Sequence, residues 1–254
     1  MSERPRIAAD NYEAVYDYYE TNRRNERFNT MVYHAGHRLL DPEVVIAPET
    51  RERLAQAVEE GKGVIAVANH PSQHDVFTLS AAMTEFGIDE LYNFTGLAKS
   101  ELFQNPITLP IFEFTGCVPA FRRKSDAVYD REQHLARTAR LHQLLLNRLQ
   151  RGEHVAILPE GTRSDPTNYE HVPLDRVKAG VAHLALATAG ESVILPFGVH
   201  YDTPRPRRTL PKRHAAVTFG PLIEAYAPTV NGVREQVHAS INDALARSVA
   251  RHQS

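Results

Sequence analysis

The chain has one cysteine, Cys117, and no tryptophan among its 254 residues. A single thiol excludes an intramolecular disulfide and any zinc site built from several cysteines, and it fits a reducing compartment. Long hydrophobic runs are missing too. Stretches free of Asp, Glu, Lys and Arg reach about a dozen residues, as from Ala179 to Gly190, against the ~20 that a spanning helix needs. Met1 to Asp10 mixes charges with small residues and lacks the apolar centre of a secretion signal. There is no excess of positive charge: Lys+Arg number 29 against 31 Asp+Glu, a net charge of -2. That balance argues against nucleic acid as a partner.

What is present is the composition of a globular protein, 42% hydrophobic and 24% charged. Apolar spacing predicts helix over 10–40, with a polar break at Asn22 to Arg27, and a short helix to Glu60 with Thr50 as its N-cap. Strands are expected at Val64–Ala68, Leu91–Ala98, Cys117–Ala120, His154–Leu158, Val193–Val199 and Ala215–Phe219. Helices are expected at Asp75–Phe86, around Pro106 and Pro110, and at Asp130–Gln150, Val177–Ala189 and Val233–Ala250. This alternation predicts an α/β fold: a central mixed, mostly parallel sheet flanked by helices, with an N-terminal helical segment. Asp41-Pro42 and Ala47-Pro48 interrupt the pattern, which divides the chain into a helical segment over 1–45 and a main domain over 46–254.

Two turns carry most of the chemistry. The first, Asn69-His70-Pro71-Ser72-Gln73-His74-Asp75, links a buried strand to a helix whose first turn would take Pro71. Asp75 can reach back to His70, fix its tautomer and leave the second ring nitrogen as a base. The same spacing also suits a polar turn in which Ser72 or Asp75 only caps the helix. A metal site on His70 and His74 is disfavoured, because Pro71 stands where a zinc-protease helix carries its Glu. The second turn, Leu158-Pro159-Glu160-Gly161-Thr162-Arg163-Ser164, follows another strand. Gly161 permits a tight turn, Thr162 and Arg163 offer donors to a phosphate, and Glu160 would hold Arg163 or a ligand hydroxyl. A salt-bridged turn without a ligand fits the same residues. Lys99, and Arg122 with Arg123 and Lys124, end or follow strands, where α/β sheets place ligands, although most such charges are only solvated. Lys178 reads as a surface lysine at a helix start.

Taken in order, Asn69-His70-x-Ser72-x-x-Asp75, Ala98-Lys99-Ser100-Glu101-Leu102, Gly116-Cys117-Val118-Pro119-Ala120-Phe121-Arg122, Pro159-Glu160-Gly161-Thr162-Arg163 and Val193-Ile194-Leu195-Pro196 resemble the successive blocks of the glycerolipid acyltransferase superfamily. Within it they look most like the 1-acylglycerol-3-phosphate acyltransferases. The resemblance covers roughly residues 60–200. It implies that residues 46–254 form an acyltransferase domain, with His70 as general base and Asp75 orienting it. It also implies an acceptor phosphate site made by Lys99, Arg122, Glu160, Gly161, Thr162 and Arg163, and a donor side near Pro196. Leu158 stands where the family usually has Phe, and Phe121 where a polar residue often precedes the arginine. The hydrophobic N-terminal segments of many members are absent.

The activity so implied is acyl transfer from a thioester, acyl-CoA or acyl-carrier protein (acyl-ACP), to a hydroxyl of a lysophospholipid such as 1-acylglycerol-3-phosphate. Glycerol-3-phosphate or another lysolipid is the alternative acceptor, and a non-catalytic lipid- or carrier-binding module is the alternative role. No metal and no cofactor beyond the co-substrate is expected. The expected location is cytoplasmic, peripheral on the inner face of a membrane. Phe28, Met31, Val32, Ala35 and Leu39 form one helical stripe that suits either packing on the core or docking on a bilayer. The Arg205, Arg207, Arg208, Lys212, Arg213 segment could meet anionic headgroups or be solvated.

Overall fold

The fold follows from strands that are apolar on both sides and therefore need cover on both faces. In a computed structural model, residues 3–21, 24–72, 75–122, 130–161, 174–201 and 215–252 are described. The strands are β1 (Glu43–Val45), β2 (Gly63–Ala68), β3 (Phe94–Lys99), β4 (Val118–Ala120), β5 (His154–Ile157), β6 (Ser192–Tyr201) and β7 (Ala215–Phe219). They form one seven-stranded sheet in the order β1-β7-β6-β2-β5-β3-β4. Every neighbouring pair is parallel except β6–β7. The sheet is thus mixed and mostly parallel, as the sequence predicts.

The helices are α1 (Tyr12–Glu20), α2 (Glu26–Leu40), α3 (Pro48–Glu59), α4 (Asp75–Met83), α5 (Thr108–Phe114), α6 (Arg131–Gln150), α7 (Ala179–Ala187) and α8 (Val230–His252). The central strand β2 shows how they are distributed. Val64, Ala66 and Ala68 point to one face, where Tyr33 of α2, Leu54 of α3 and Met83 of α4 cover them. Ile65 and Val67 point to the other, under residues of α1, α6, α7 and α8. At Gly198 of β6 a Cβ would collide with the backbone of α8 at Leu245, so the absent side chain lets this helix lie directly on the strand. Ser248 Oγ of α8 donates to the Gly198 carbonyl at 3.0 Å.

Several local expectations are corrected. The helix expected to start at Thr50 begins at Pro48, because proline suits the first helical turn; Thr50 is a buried residue inside it. Leu91 and Tyr92 belong to a 3-10 turn, Asp89–Tyr92, and β3 starts only at Phe94. Both segments are apolar and buried, so hydrophobicity alone does not separate them. Pro71 lies outside α4, which begins at Asp75. The strand β1 is an addition: three residues between two prolines, at the sheet edge beside β7.

The stripe on α2 faces the wrong way for the core. Met31 is 57% exposed and Leu39 56%, whereas Asn29, Tyr33 and Leu40 are buried. The packed side is held by Asn29, whose amide donates to the Tyr92 carbonyl, and by Gly36, which sits against the Phe77 carbonyl and Ala81 of α4. Among the described residues no helix is long and apolar enough to cross a membrane.

The topology also fixes where a site can form. The five strands β6, β2, β5, β3 and β4 all end on one edge of the sheet. From β2 the chain crosses β5 to reach β3, and from β5 it crosses β2 in the opposite direction to reach β6. Chain connections that diverge in this way open a crevice at the strand ends. Here it lies at the ends of β2 and β5.

Candidate functional site

Asn69 is the first residue past β2, and its side chain continues the strand's work. Its amide nitrogen donates to the Val199 carbonyl at 2.9 Å, and its oxygen accepts from Val199 N–H at 2.8 Å. This pair of bonds extends the β2–β6 ladder by side chain, leaving the backbone free to turn at His70. The backbone N–H of His70 then donates to Glu160 Oε1 at 2.8 Å. The residue after β2 is thereby tied to the turn after β5.

His70 Nδ1 lies 2.7 Å from Asp75 Oδ2. The Asp75 side chain is fully buried, and that of His70 is 22% exposed. Oδ2 also accepts from Ser72 N–H at 3.0 Å. Oδ1 accepts from the hydroxyl of Tyr201, the last residue of β6, at 2.8 Å. Burial pushes the Asp75 carboxyl upward, and the bonds from His70, Ser72 and Tyr201 oppose that. With Nδ1 engaged as donor, Nε2 is the nitrogen left to accept a proton. This is the pairing that the short motif predicts. Tyr201 is an addition with no sequence signal, because it comes from a strand end 126 residues away.

The second turn lies next to it. Gly161 has φ +67°, the left-handed region that glycine enters readily, and its N–H donates to the Leu158 carbonyl at 3.0 Å. A Cβ there would collide with Lys178 Nζ, so Lys178 lies directly against Gly161. The Lys178 backbone N–H donates to the Pro159 carbonyl at 3.0 Å, fixing the start of α7 on this turn. Arg122 Nη2 reaches the Gly161 carbonyl at 3.4 Å. Burial, Arg176 and Arg122 together lower the Lys178 ammonium from its ordinary value. Among the described residues none of these three cations pairs with a carboxylate. Lys178, read from the sequence as a surface lysine, therefore belongs to a cationic cluster beside the His70 turn.

Lys99 is exposed at the end of β3, in register with Ala120 of β4. That places it two strands, or about 10 Å, from β2 along the same edge. Pro196 is buried within β6, in register with Val67. Thr162, Arg163, His74, Arg123, Lys124 and the 202–214 segment lie outside the described residues. Among the described residues no group of three or more His, Cys, Asp or Glu side chains could hold a metal ion.

The arrangement offers an imidazole whose Nε2 has no partner among the described residues, a buried carboxylate behind it, and cations at the adjacent turn. The chain matches the family model described as Acyltransferase over residues 46–200, which spans both turns and β2 to β6. No curated protein matches the chain.

Proposed function

The chain belongs to the acyltransferase family, the glycerolipid acyltransferase superfamily, and on that premise we propose that it moves a fatty acyl group from a thioester to the hydroxyl of a phosphate-bearing lysolipid such as 1-acylglycerol-3-phosphate. The observation that carries this reading is the 2.7 Å contact between His70 Nδ1 and Asp75 Oδ2, beside a cationic cluster that pairs with no carboxylate among the described residues.

His70 Nε2 takes the proton of the acceptor hydroxyl as its oxygen attacks the thioester carbonyl carbon. Asp75 holds the imidazolium that forms. The tetrahedral intermediate collapses, the C–S bond breaks, and the proton on Nε2 passes to the leaving thiolate. The products are the ester and the free thiol of coenzyme A or a carrier protein. General-base catalysis of this kind supplies on the order of 10²–10⁴ in rate. Arg122 and Lys178, joined by Lys99 and by Thr162 and Arg163 from the same motif, bind the acceptor phosphate and set its hydroxyl against His70. Such positioning supplies much of the remaining acceleration. Glu160 acts from behind, on the His70 backbone.

The acceptor is a lipid, so the protein is taken to work from a membrane surface. Met31 of α2, Val76 and Phe77 of α4, and Ile107, Ile111 and Phe114 in and beside α5 are large apolar residues left exposed. Phe28 of α2 meets Phe114 with ring centroids 5.5 Å apart, which joins the α2 and α5 parts of this surface. Val76 and Phe77 directly follow Asp75. A surface of this kind beside the base would let a lysolipid enter from the bilayer.

The test is acyl transfer by the purified chain from acyl-CoA and from acyl-ACP to four acceptor conditions: lysophosphatidic acid, glycerol-3-phosphate, a phosphate-free lysolipid and none. The reading predicts transfer to lysophosphatidic acid above all. Preference for glycerol-3-phosphate would move the acceptor assignment while keeping the base. Thioester binding without transfer to any acceptor would favour a binding module.

A further inference from the structure

We propose that Tyr201 is a positioning residue for the His70–Asp75 pair, holding Asp75 as the anion that keeps the His70 imidazole in place. The inference rests on the general-base reading of His70 and adds a third member to the pair, from the far end of β6.

A carboxylate with no exposed surface has to be satisfied by protein donors, or it takes up a proton instead. Asp75 has donors on both oxygens. Oδ2 serves His70 and Ser72, while Oδ1 accepts the Tyr201 hydroxyl at 2.8 Å. Thr78 Oγ1, one helical turn after Asp75, is 3.0 Å from the same Tyr201 oxygen. One phenolic proton cannot serve two acceptors, and the carboxylate is the stronger one. Thr78 therefore donates to Tyr201 and Tyr201 to Asp75, a chain of bonds that strengthen one another. Tyr201 and Thr78 are both buried, so water does not replace either.

The environment makes the expected sign definite. The ionisable groups that act on Asp75 among the described residues are His70 and Tyr201, and Asp75 is the one that acts on Tyr201. Glu160 meets His70 only at its backbone N–H. Tyr201 draws charge from the carboxylate. Without its hydroxyl, Asp75 is the more basic carboxylate and holds the proton it shares with His70 more tightly, so the pair keeps that proton to higher pH. The carboxylate is also freer to rotate, so the imidazole is less well aimed.

The experiment is Tyr201→Phe, read in two ways. The first is titration of the His70 ring by ¹⁵N NMR, which needs no substrate. The apparent pKa of the pair is expected to rise by about one unit. The second is the pH profile of acyl transfer. Its acid limb should rise by a similar amount, with kcat down about 10-fold and the acceptor KM unchanged. If Tyr201→Phe does not fold, Thr78→Val removes the bond behind Tyr201 and should shift the titration the same way by a smaller amount. In an Asp75→Asn background, Tyr201→Phe should leave the His70 titration unmoved. An unchanged His70 titration in both Tyr201→Phe and Thr78→Val would overturn the proposal, leaving Tyr201 a packing residue. Absence of acyl transfer in the unaltered protein would instead sink the functional reading, while the NMR result still decides the role of Tyr201.

Discussion

Glu160 Oε1 accepts the backbone N–H of His70 at 2.8 Å, joining two turns that lie 90 residues apart in the chain. Glu160 is 9% exposed, so this bond is sheltered from water. It fixes the backbone that carries His70, a contact that the short motif around Glu160 does not show. A hydrogen bond to a charged acceptor contributes roughly 1.5–3 kcal/mol. Glu160→Ala should therefore lower kcat/KM on the order of 10- to 100-fold, and Glu160→Gln, which keeps an acceptor oxygen, should lose less. Steady-state kinetics of the two variants checks this. Equal losses would place the carboxylate charge, not this bond, at the centre of its role.

The cationic cluster predicts a loss confined to phosphate-bearing acceptors. Lys178→Ala and Arg122→Ala should each raise the acceptor KM roughly 10-fold, as expected for loss of a charge-assisted contact. A phosphate-free lysolipid should show no such change, and Lys178→Arg should retain most of the affinity. The KM for lysophosphatidic acid against that of the phosphate-free lysolipid is the measurement. A uniform loss on both acceptors would remove these residues from the phosphate site.

His154 opens β5 at the end of the sheet away from this site, and its Nδ1 accepts the Val64 N–H at 3.2 Å. Burial pushes its pKa down to about 4. A histidine held neutral when folded but free to charge when unfolded stabilises the protein fully only above its unfolded value, near 6.5. That stability is lost as pH falls from there toward the folded value. The gap corresponds to about 3 kcal/mol. Urea midpoints at pH 7.5 and pH 5 should therefore differ by more in the wild type than in His154→Asn, whose side-chain oxygen can still accept the Val64 N–H. Identical pH dependence in both would contradict the assignment.

The exposed apolar surface predicts membrane partition. Ile107 is 77% exposed and Phe77 44%, so Ile107→Asp and Phe77→Asp disturb little of the core. Each should reduce co-sedimentation with liposomes several-fold, since a charge replaces apolar area at the interface. Unchanged sedimentation of the double variant would exclude this face as the docking surface.

These sites were unequally legible in the sequence. The His70–Asp75 pair and the Gly161 turn follow from short motifs, because the chain itself brings those residues together over a few positions. The α/β alternation was legible for the same local reason. Tyr201 and Lys178 were not, since only the parallel sheet carries the end of β6 to Asp75 and the start of α7 to Gly161. Helix α2 shows the other limit. Periodicity identifies the helix and marks Phe28, Met31, Val32, Ala35 and Leu39, whereas the packed side carries Asn29, Tyr33 and Gly36. An asparagine that meets a backbone carbonyl and a glycine that admits a neighbouring helix carry no hydrophobic signal. The edge strand Glu43–Val45 was too short to show a period at all.

Acyl transfer as proposed depends on His70 acting as the base with Asp75 orienting it. The direct measurement is single-turnover acyl transfer to lysophosphatidic acid by wild type, His70→Ala and Asp75→Asn, with acceptor affinity measured in parallel by calorimetry. A fall in rate on the order of 10²–10⁴ is expected for both variants, with acceptor affinity nearly unchanged. Near wild-type turnover in His70→Ala would contradict it.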